Sequence, residues 1–278
     1  MLKIGKYNTL KVSREVDFGY YLTTDDGREI LLPRKYMPED KGVGDEIEVF
    51  VYTDSEDRLI ATTEVPYATV GEFAYLQVSD VNSAGAFLDW GISGKDLLVP
   101  YSQQKSRMKQ GGIYLVYVYL DDVSKRVVAA AKIEHYVGNT IPEYRPGQKV
   151  SALIVEHTPI GYRAIVDNSH WGMIYDNEIF QPLEIESTVS AFVKSVREDY
   201  KIDLTLSDKA VKRVGDLSER ILEAIDAADG ELRITDASTP DEIREVFHCS
   251  KKDFKKAVGH LYKEQKILLG EGIITRAK

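Results

Sequence analysis

One short stretch of the chain has the residue types of a phosphate-binding loop. Gly94 and Lys95 suggest such a loop, but Asp96 follows where serine or threonine is needed. Asp89 also stands where the pattern has its first glycine. The sequence therefore predicts no nucleoside triphosphate site at this stretch.

Histidine and cysteine do not have the spacing of a metal site. A structural zinc ion needs ligands paired at short intervals, and the chain has five histidines and a single cysteine, Cys249. His248 is its direct neighbour, and no chelating interval links the remaining histidines, His135, His157, His170 and His260. We therefore expect no bound metal, no other cofactor and no disulfide.

The acidic pairs of the chain do not indicate catalysis. Asp25–Asp26 and Asp121–Asp122 are typical of solvated hairpin turns. No nucleophile with a plausible general base can be singled out. We therefore expect a protein that is not an enzyme.

Length and hydropathy describe a folded protein with several domains. The chain has 278 residues, of which 43% are hydrophobic and 29% are charged. Its longest apolar run, Ile113–Leu120, is far too short to span a membrane, and Met1–Lys6 lacks the apolar core of a signal peptide. We therefore expect a soluble, cytoplasmic protein without membrane contact. The net charge of −9 argues against a generally basic surface, so any polyanion would bind to a local face.

The same order of landmarks occurs three times along the chain. Each copy begins with a glycine that is followed 14 residues later by a second glycine, at Gly5 and Gly19, Gly71 and Gly85, and Gly147 and Gly161. A further apolar segment then follows in each copy, Leu31–Pro33, Leu98–Pro100 and Met173–Tyr175, before a closing pair of alternating segments. This recurrence predicts three copies of one module.

Each module has the pattern of a small antiparallel sheet. Its segments are short, rich in Val, Ile, Tyr and Phe, mostly of period two, and separated by turn residues. About five strands in about 65 to 75 residues favour a five-stranded barrel of the oligonucleotide-binding (OB) type. The second glycine of each copy falls inside a strand, where glycine marks a bend or a close backbone approach.

After Ser207 the hydrophobic period becomes helical. Leu217, Ile221, Leu222 and Ile225 predict a helix that Gly230 ends. Thr239–Glu242 combines an N-cap, a proline at the first helical position and a capping-box glutamate. A third helix over 251–264 begins after Ser250, and two short strands follow. This order is that of a winged helix-turn-helix.

The predicted fold class is therefore mainly β, with three tandem five-stranded OB-fold (S-one-like) barrels and a C-terminal α+β domain. The predicted domains are barrels at 1–65, 66–138 and 139–209 and a winged helix at 212–278.

Several stretches resemble a known family. Asp17–Tyr21, Leu98–Gln103 and Leu204–Ser207 are similar to the S-one (S1) RNA-binding domain. Ser238–Ile243 and Ser250–Gly259 add a resemblance to the conserved virulence factor B (CvfB/YitL) family of bacterial RNA-binding regulators, which extends over essentially the whole chain.

This resemblance implies an RNA site on strands two and three of a barrel. Its stacking aromatics are Phe18 and Tyr21 in the first copy and Phe87 in the second, with basic residues Arg58, Arg126 and Lys201 near the phosphates. Stacking on exposed aromatic rings is a general way of binding single strands, because every base has a π-face.

The copies depart from the family pattern. The usual strand-three histidine is replaced by Pro33, Pro100 and Tyr175. The third copy also has Ile160 and Arg163 where the aromatics belong, and the candidate substitutes are Tyr162, Trp171 and Tyr175. At least one barrel is thus a candidate spacer or protein-contact module.

The third C-terminal helix has two distinct faces. Phe254, Val258 and Leu261 lie on the predicted core side. The opposite charged stripe consists of Lys251, Lys252, Lys255, Lys256 and Lys263. A lysine stripe on this helix predicts contact with phosphates, although a merely solvated face is the alternative.

Two functions remain open from the sequence. The first is a non-enzymatic regulator that binds single-stranded RNA. The alternative is an adaptor that binds proteins of the transcription or translation machinery, with RNA or DNA binding secondary.

Overall fold

The chain folds into three β-barrels followed by a small helical domain. The computed structural model describes residues 2–176, 179, 183–206, 208–228, 230–247, 249–270 and 272–277, with the backbone alone for 208–216.

Barrel 1 is closed, with the strand order β1-β2-β3-β5-β4. Residues of alternating burial form its strands, so that one side of each strand fills the barrel. The strands are β1 (Lys6–Val16), β2 (Gly19–Thr23), β3 (Glu29–Pro33), β4 (Glu46–Thr53) and β5 (Leu59–Thr62).

Barrels 2 and 3 repeat this plan. Barrel 2 is a five-stranded sheet of order β10-β9-β6-β7-β8 whose edges β8 and β10 lie side by side, and barrel 3 is closed in the order β11-β12-β13-β15-β14. Barrel 2 contains β6 (Phe73–Val81), β7 (Gly85–Ile92), β8 (Lys95–Pro100), β9 (Ile113–Leu120) and β10 (Val127–Ala130). Barrel 3 contains β11 (Lys149–Thr158), β12 (Gly161–Val166), β13 (His170–Tyr175), β14 (Thr188–Val196) and β15 (Ile202–Thr205). The predicted fold class of three tandem OB-type barrels is confirmed.

The second glycine of each copy is required by the close approach of two strands. Gly19, Gly85 and Gly161 pair with the last residue of the neighbouring strand, and a Cβ atom at any of them would overlap a carbonyl oxygen of that strand. Gly85 and Gly161 also adopt φ values of 157° and 147°, which disfavour other residues. The interpretation of these glycines as points of close backbone approach is confirmed.

We expect Gly85→Ala to lower the free energy of unfolding by about 1–3 kcal/mol, because alanine would have to strain the backbone or push β8 away. Gly42→Ala is the matched control, since nothing lies within 4 Å of its Cβ position. Urea unfolding followed by circular dichroism checks the difference. Equal midpoints for the two variants would show that the approach is not tight.

Barrels 1 and 2 share a hydrophobic core. Strand β4 is buried on both sides near its end, because Val49 and Val51 face barrel 1 while Phe50 and Tyr52 pack against barrel 2. Trp90 of β7 is fully buried against both aromatic rings, with centroid distances of 5.3 and 6.2 Å. The two barrels therefore stabilise each other.

Barrels 2 and 3 meet through the outer sides of their sheets. Phe73 and Tyr75 of β6 pack against Leu153 and Ile165 of barrel 3. The Tyr75 hydroxyl donates to the Val155 carbonyl at 3.1 Å. This contact buries part of the outward face of barrel 3.

The C-terminal domain has the predicted winged-helix order. Helix α2 begins at Pro240, and Thr239 and Glu242 form the expected reciprocal capping box. Ser250 accepts a hydrogen bond from the Asp253 amide as the cap of α3. The elements are α1 (Asp208–Ala227), β16 (Glu231–Leu232), α2 (Pro240–Phe247), α3 (Lys251–Lys263), β17 (Ile267–Leu269) and β18 (Ile274–Arg276).

Two boundaries differ from the sequence prediction. Helix α1 already begins at Asp208, so the predicted domain limits at 209 and 212 fall inside this helix. Helix α3 ends at Lys263 rather than at 264, where the Glu264 amide bonds to the His260 carbonyl. Within the described residues, no helix combines the length and apolarity needed to cross a membrane.

Candidate nucleic-acid interface

The outward face of barrel 2 presents an aromatic ring without a stacking partner. Phe87 of β7 is half-buried and lies opposite Leu98 of β8 and Asp80 of β6 in the strand register. Among the described residues, no other aromatic ring and no guanidinium group stacks on it. This ring is free to receive a planar group from solution.

A groove of about 420 Å³ adjoins this face. Leu98, Pro100 and Val128 are its apolar lining residues, and Tyr119 and Arg126 are among its polar lining residues. Because Leu98 both pairs with Phe87 and lines the groove, the aromatic face and the groove form one surface. We call this combined surface the barrel 2 face.

In barrel 1 the equivalent ring is already covered. The Arg14 guanidinium lies 4.0 Å from the centre of the Tyr21 ring, and Glu29 holds it with two hydrogen bonds. Phe18 contacts Tyr21 edge to face at 6.5 Å and is 60% exposed. Barrel 1 thus brings both predicted aromatics together, but a base would have to displace Arg14 to stack on that side of Tyr21.

In barrel 3 the outward face is occupied by protein contacts. Arg163 takes the position of Tyr21 and Phe87, and its guanidinium covers the Trp171 ring at 4.3 Å. Trp171 also packs at the junction with barrel 2. Tyr162 points the other way, into the barrel core, because its neighbour Arg163 faces outward and strand residues alternate. Tyr162 is therefore not part of an exposed face.

The remaining barrel 3 candidates belong to a polar cluster. The Tyr175 hydroxyl donates to Asp203, and the Arg197 guanidinium bonds to both residues. Lys201 lies on the loop between β14 and β15 and forms an ion pair with Asp199 at 2.8 Å. Lys201 directly precedes Ile202, which lies opposite Gly172 in the parallel register, so it lies nearer to the Trp171 end of β13 than to the Tyr175 end. Trp171 itself packs at the barrel 2 junction.

The basic residue of each closing loop has an acidic partner. Arg58 binds Asp54 and Glu56 of its own loop, whereas Arg126 of barrel 2 binds Asp57 of barrel 1. The hydrogen bond from Arg126 holds the pKa of Asp57 below its ordinary value. Exposed ion pairs of this kind contribute little to stability, so a phosphate group can compete for the guanidinium.

Two of the five lysines in the predicted stripe on α3 contact other groups of the protein. The side chains of Phe254, Val258 and Leu261 are buried, which confirms the predicted core side. Lys251 donates to the Ser238 carbonyl, and Lys255 lies 3.8 Å from Asp236. Three lysines of the stripe are exposed without an acidic partner within 4 Å among the described residues, namely Lys252, Lys256 and Lys263.

Sequence reasoning missed Tyr119 and the covering role of Arg14. Tyr117 and Tyr119 alternate with the buried Val116 and Val118 in β9, so the period of two already indicated that both tyrosines face outward. The position of Arg14 over Tyr21 depends on the pairing of β1 with β2, and the glycine landmarks carry no information on it.

Comparisons with known proteins agree with this architecture. The S1 domain model matches residues 4–64 and 70–131, and the CvfB-like winged helix domain model matches 219–275. These domain families suggest nucleic-acid binding and are typically not enzymes.

Similar proteins cover nearly the whole chain. YitL of Bacillus subtilis strain 168 is 30% identical, over 98% of this chain and 93% of its own length. Conserved virulence factor B of Staphylococcus epidermidis is 25% identical, over 99% and 95% respectively. A solved multidomain protein with nucleic acid binding domains, from Streptococcus pneumoniae, aligns over 98% of both chains with 22% identity and a TM-score of 0.41. The chain belongs to the family of YitL and conserved virulence factor B, whose members resemble it from the first S1 domain to the winged helix.

Proposed function

We propose that this protein is a non-enzymatic RNA-binding protein that takes up single-stranded RNA on the barrel 2 face and regulates gene expression after transcription. The observation that carries the proposal is the Phe87 ring, which lacks a stacking partner among the described residues and lies beside a groove that contains Arg126. An aromatic ring next to a cation is the combination that binds single strands without reading their sequence.

The winged helix supplies a second contact in this proposal. Lys252, Lys256 and Lys263 are exposed on α3 and have no acidic partner within 4 Å in the described part of the chain. An ammonium group attracts phosphate without specifying a base. We assign these lysines to contacts with the phosphate backbone of the RNA, which strengthen binding.

Barrels 1 and 3 have supporting roles in this proposal. Arg14 covers Tyr21, and the Arg163–Trp171 pair lies against barrel 2. Their loops still offer Arg58 and Lys201 to phosphates once the acidic partners are displaced.

A titration of the full chain with homopolymer RNAs and matched DNAs at two salt concentrations tests the function. We expect measurable RNA binding that weakens with salt, with a slope of about −0.7 per neutralised phosphate and only a few phosphates engaged. Binding without salt dependence would contradict the phosphate contacts, and the absence of RNA binding would contradict the function.

We expect reversal of Lys252 and Lys256 to glutamate to weaken affinity for all RNA sequences nearly equally and to reduce the salt slope by about 0.7 per lysine. The matched control reverses Arg233 and Arg244, which are exposed outside α3 and change the net charge equally. If the two double variants weakened RNA binding equally, the lysines of α3 would act only through the net charge of the protein and not through direct contact with RNA.

A protein-binding adaptor is the second candidate, favoured by the exposed apolar surface of the winged helix. Tyr262, Leu268 and Leu269 are each more than half exposed. Deletion of 208–278, from the first residue of α1 onward, separates the two functions, because the RNA regulator keeps weaker binding through its barrels. Unchanged RNA affinity after this deletion and after the lysine reversal would assign the winged helix to a protein partner.

A further inference from the structure

Arg107 lies over the ring of Tyr101 beside the barrel 2 face. Its guanidinium carbon is 3.7 Å from the ring centre, which is too close for an approach along the ring edge, so the guanidinium covers the face of the ring. Tyr101 directly follows Pro100, which pairs with Gly85 and lines the groove. The pair of Arg107 and Tyr101 therefore lies next to the proposed RNA platform.

Arg107 differs from the other arginines that lie over rings, because it has no carboxylate partner. Within the described residues, five arginines lie over an aromatic ring, and four of these also bind an acidic side chain, namely Arg14, Arg34, Arg163 and Arg197. Arg107 is exposed, and no carboxylate of the same part of the chain lies within 4 Å of its guanidinium. An incoming group therefore does not have to displace an acidic side chain.

The segment around Arg107 is basic. Residues 101–112 contain Lys105, Arg107 and Lys109 but no acidic residue, although the whole chain has a net charge of −9. Lys105 pairs with Glu134, whereas Lys109 is exposed and has no acidic partner within 4 Å among the residues that the structure describes. This segment is thus a local face that can attract a polyanion to an acidic protein.

The protein holds both members of the pair in place. Met108, the neighbour of Arg107, is buried in the core of barrel 2, and its amide donates to the buried Gln104 side chain at 3.2 Å. The Tyr101 hydroxyl donates to the Asn82 carbonyl at 2.6 Å. The loop and the ring are therefore ordered before a ligand arrives, which lowers the entropic cost of binding.

A guanidinium group is planar, and Tyr101 covers one face of Arg107. Because Arg107 is exposed, solvent reaches the other face. The unstacked bases of single-stranded RNA stack on arginine planes as well as on aromatic rings. A guanidinium is also more weakly hydrated than an ammonium group, so a base displaces water from it more easily.

We propose that Arg107, supported by Tyr101, is a second base-stacking position for single-stranded RNA in addition to Phe87. This inference rests on the proposed function, and it extends the path of the RNA from the groove onto the segment between β8 and β9.

Arg107→Lys tests the stacking, because lysine keeps the positive charge and can still contact phosphate but has no plane. We expect this change to weaken binding of single-stranded RNA to the full chain by about three- to tenfold in fluorescence anisotropy. The dependence of affinity on salt should stay as in the parent, since the number of cations is unchanged. Arg145→Lys is the matched control and should bind as the parent does, because Arg145 is exposed and has neither a ring nor a carboxylate partner in the described part of the chain.

Tyr101 acts through Arg107 in this proposal and is a positioning residue. Tyr101→Phe should keep the affinity, because the ring remains. Tyr101→Leu should weaken RNA binding about as much as Arg107→Lys does, and the double variant should lose no more than either single variant. Circular dichroism of each variant checks that the barrels remain folded.

If the parent binds RNA and Arg107→Lys binds it as tightly as Arg145→Lys, the stacking position is overturned and the proposed function stands. Losses that add in full in the Arg107 and Tyr101 double variant would also overturn the stacked pair. A parent that binds no RNA would overturn the proposed function, and the stacking position with it.

Discussion

Replacement of Trp90 by alanine should lower the free energy of unfolding by about 3–5 kcal/mol, the cost of removing a large aromatic side chain from a packed core. Its ring is fully buried between Phe50 and Tyr52 of barrel 1 and the interior of barrel 2. Its indole N–H also donates to the Ala68 carbonyl at 2.7 Å. The substitution thus leaves a cavity and an acceptor without its partner.

Urea unfolding measured by circular dichroism checks this value. Trp90→Phe should cost less, because it keeps most of the aromatic packing and loses the hydrogen bond. Val123→Ala serves as the surface control, since Val123 is 93% exposed and its truncation should change stability by no more than about 0.5 kcal/mol. A Trp90→Ala variant as stable as this control would mean that barrels 1 and 2 do not share a core.

Phe87→Ala should weaken binding of single-stranded RNA by about 1–3 kcal/mol, the contribution of one base stacked on an aromatic ring. The ring has no stacking partner among the described residues, so a base can stack on the part of it that is exposed. Phe87→Trp should keep or increase the affinity, because it offers a larger ring. Fluorescence anisotropy with a labelled single strand measures both.

Tyr21→Ala is the matched comparison in barrel 1. The Arg14 guanidinium already covers the Tyr21 ring at 4.0 Å. Loss of the Tyr21 ring should therefore weaken RNA binding less than loss of the Phe87 ring. Equal losses at the two positions would show that a base displaces Arg14 readily. A larger loss at Tyr21 would assign the main platform to barrel 1.

The repeated architecture could be predicted because its signals are local. Gly19, Gly85 and Gly161 each lie where two strands approach too closely for a side chain, so the spacing of glycines reveals the module. Thr239 and Glu242 likewise identify the start of α2 through backbone geometry within one helical turn. Such signals do not depend on how the barrels pack.

The candidate site was harder to predict because it depends on packing between strands and barrels. Tyr162 was a candidate as a neighbour of Gly161, but strand alternation directs it inward. Trp171 faces outward as a stacking residue requires, yet barrel 2 and Arg163 cover it. The alternation at Tyr162 is a local signal, whereas the contact of Trp171 with barrel 2 joins residues far apart in the chain, and no local pattern encodes it.

The groove has the same origin. Arg126 was identified from its place in the repeat, whereas its partner Asp57 comes from another barrel. Only the arrangement of barrels 1 and 2 brings the two loops together. A groove lined by residues of two barrels therefore could not be inferred from one module alone.

Ultraviolet crosslinking of single-stranded RNA to the full chain, with mass spectrometry of the crosslinked peptides, tests most directly whether RNA lies on the barrel 2 face. We expect adducts within 85–100 and 113–130, the segments that carry Phe87, Leu98, Tyr119 and Arg126. Phe87→Ala should reduce these adducts. Adducts confined to barrel 1, barrel 3 or α3 would contradict the assignment of the RNA platform to barrel 2.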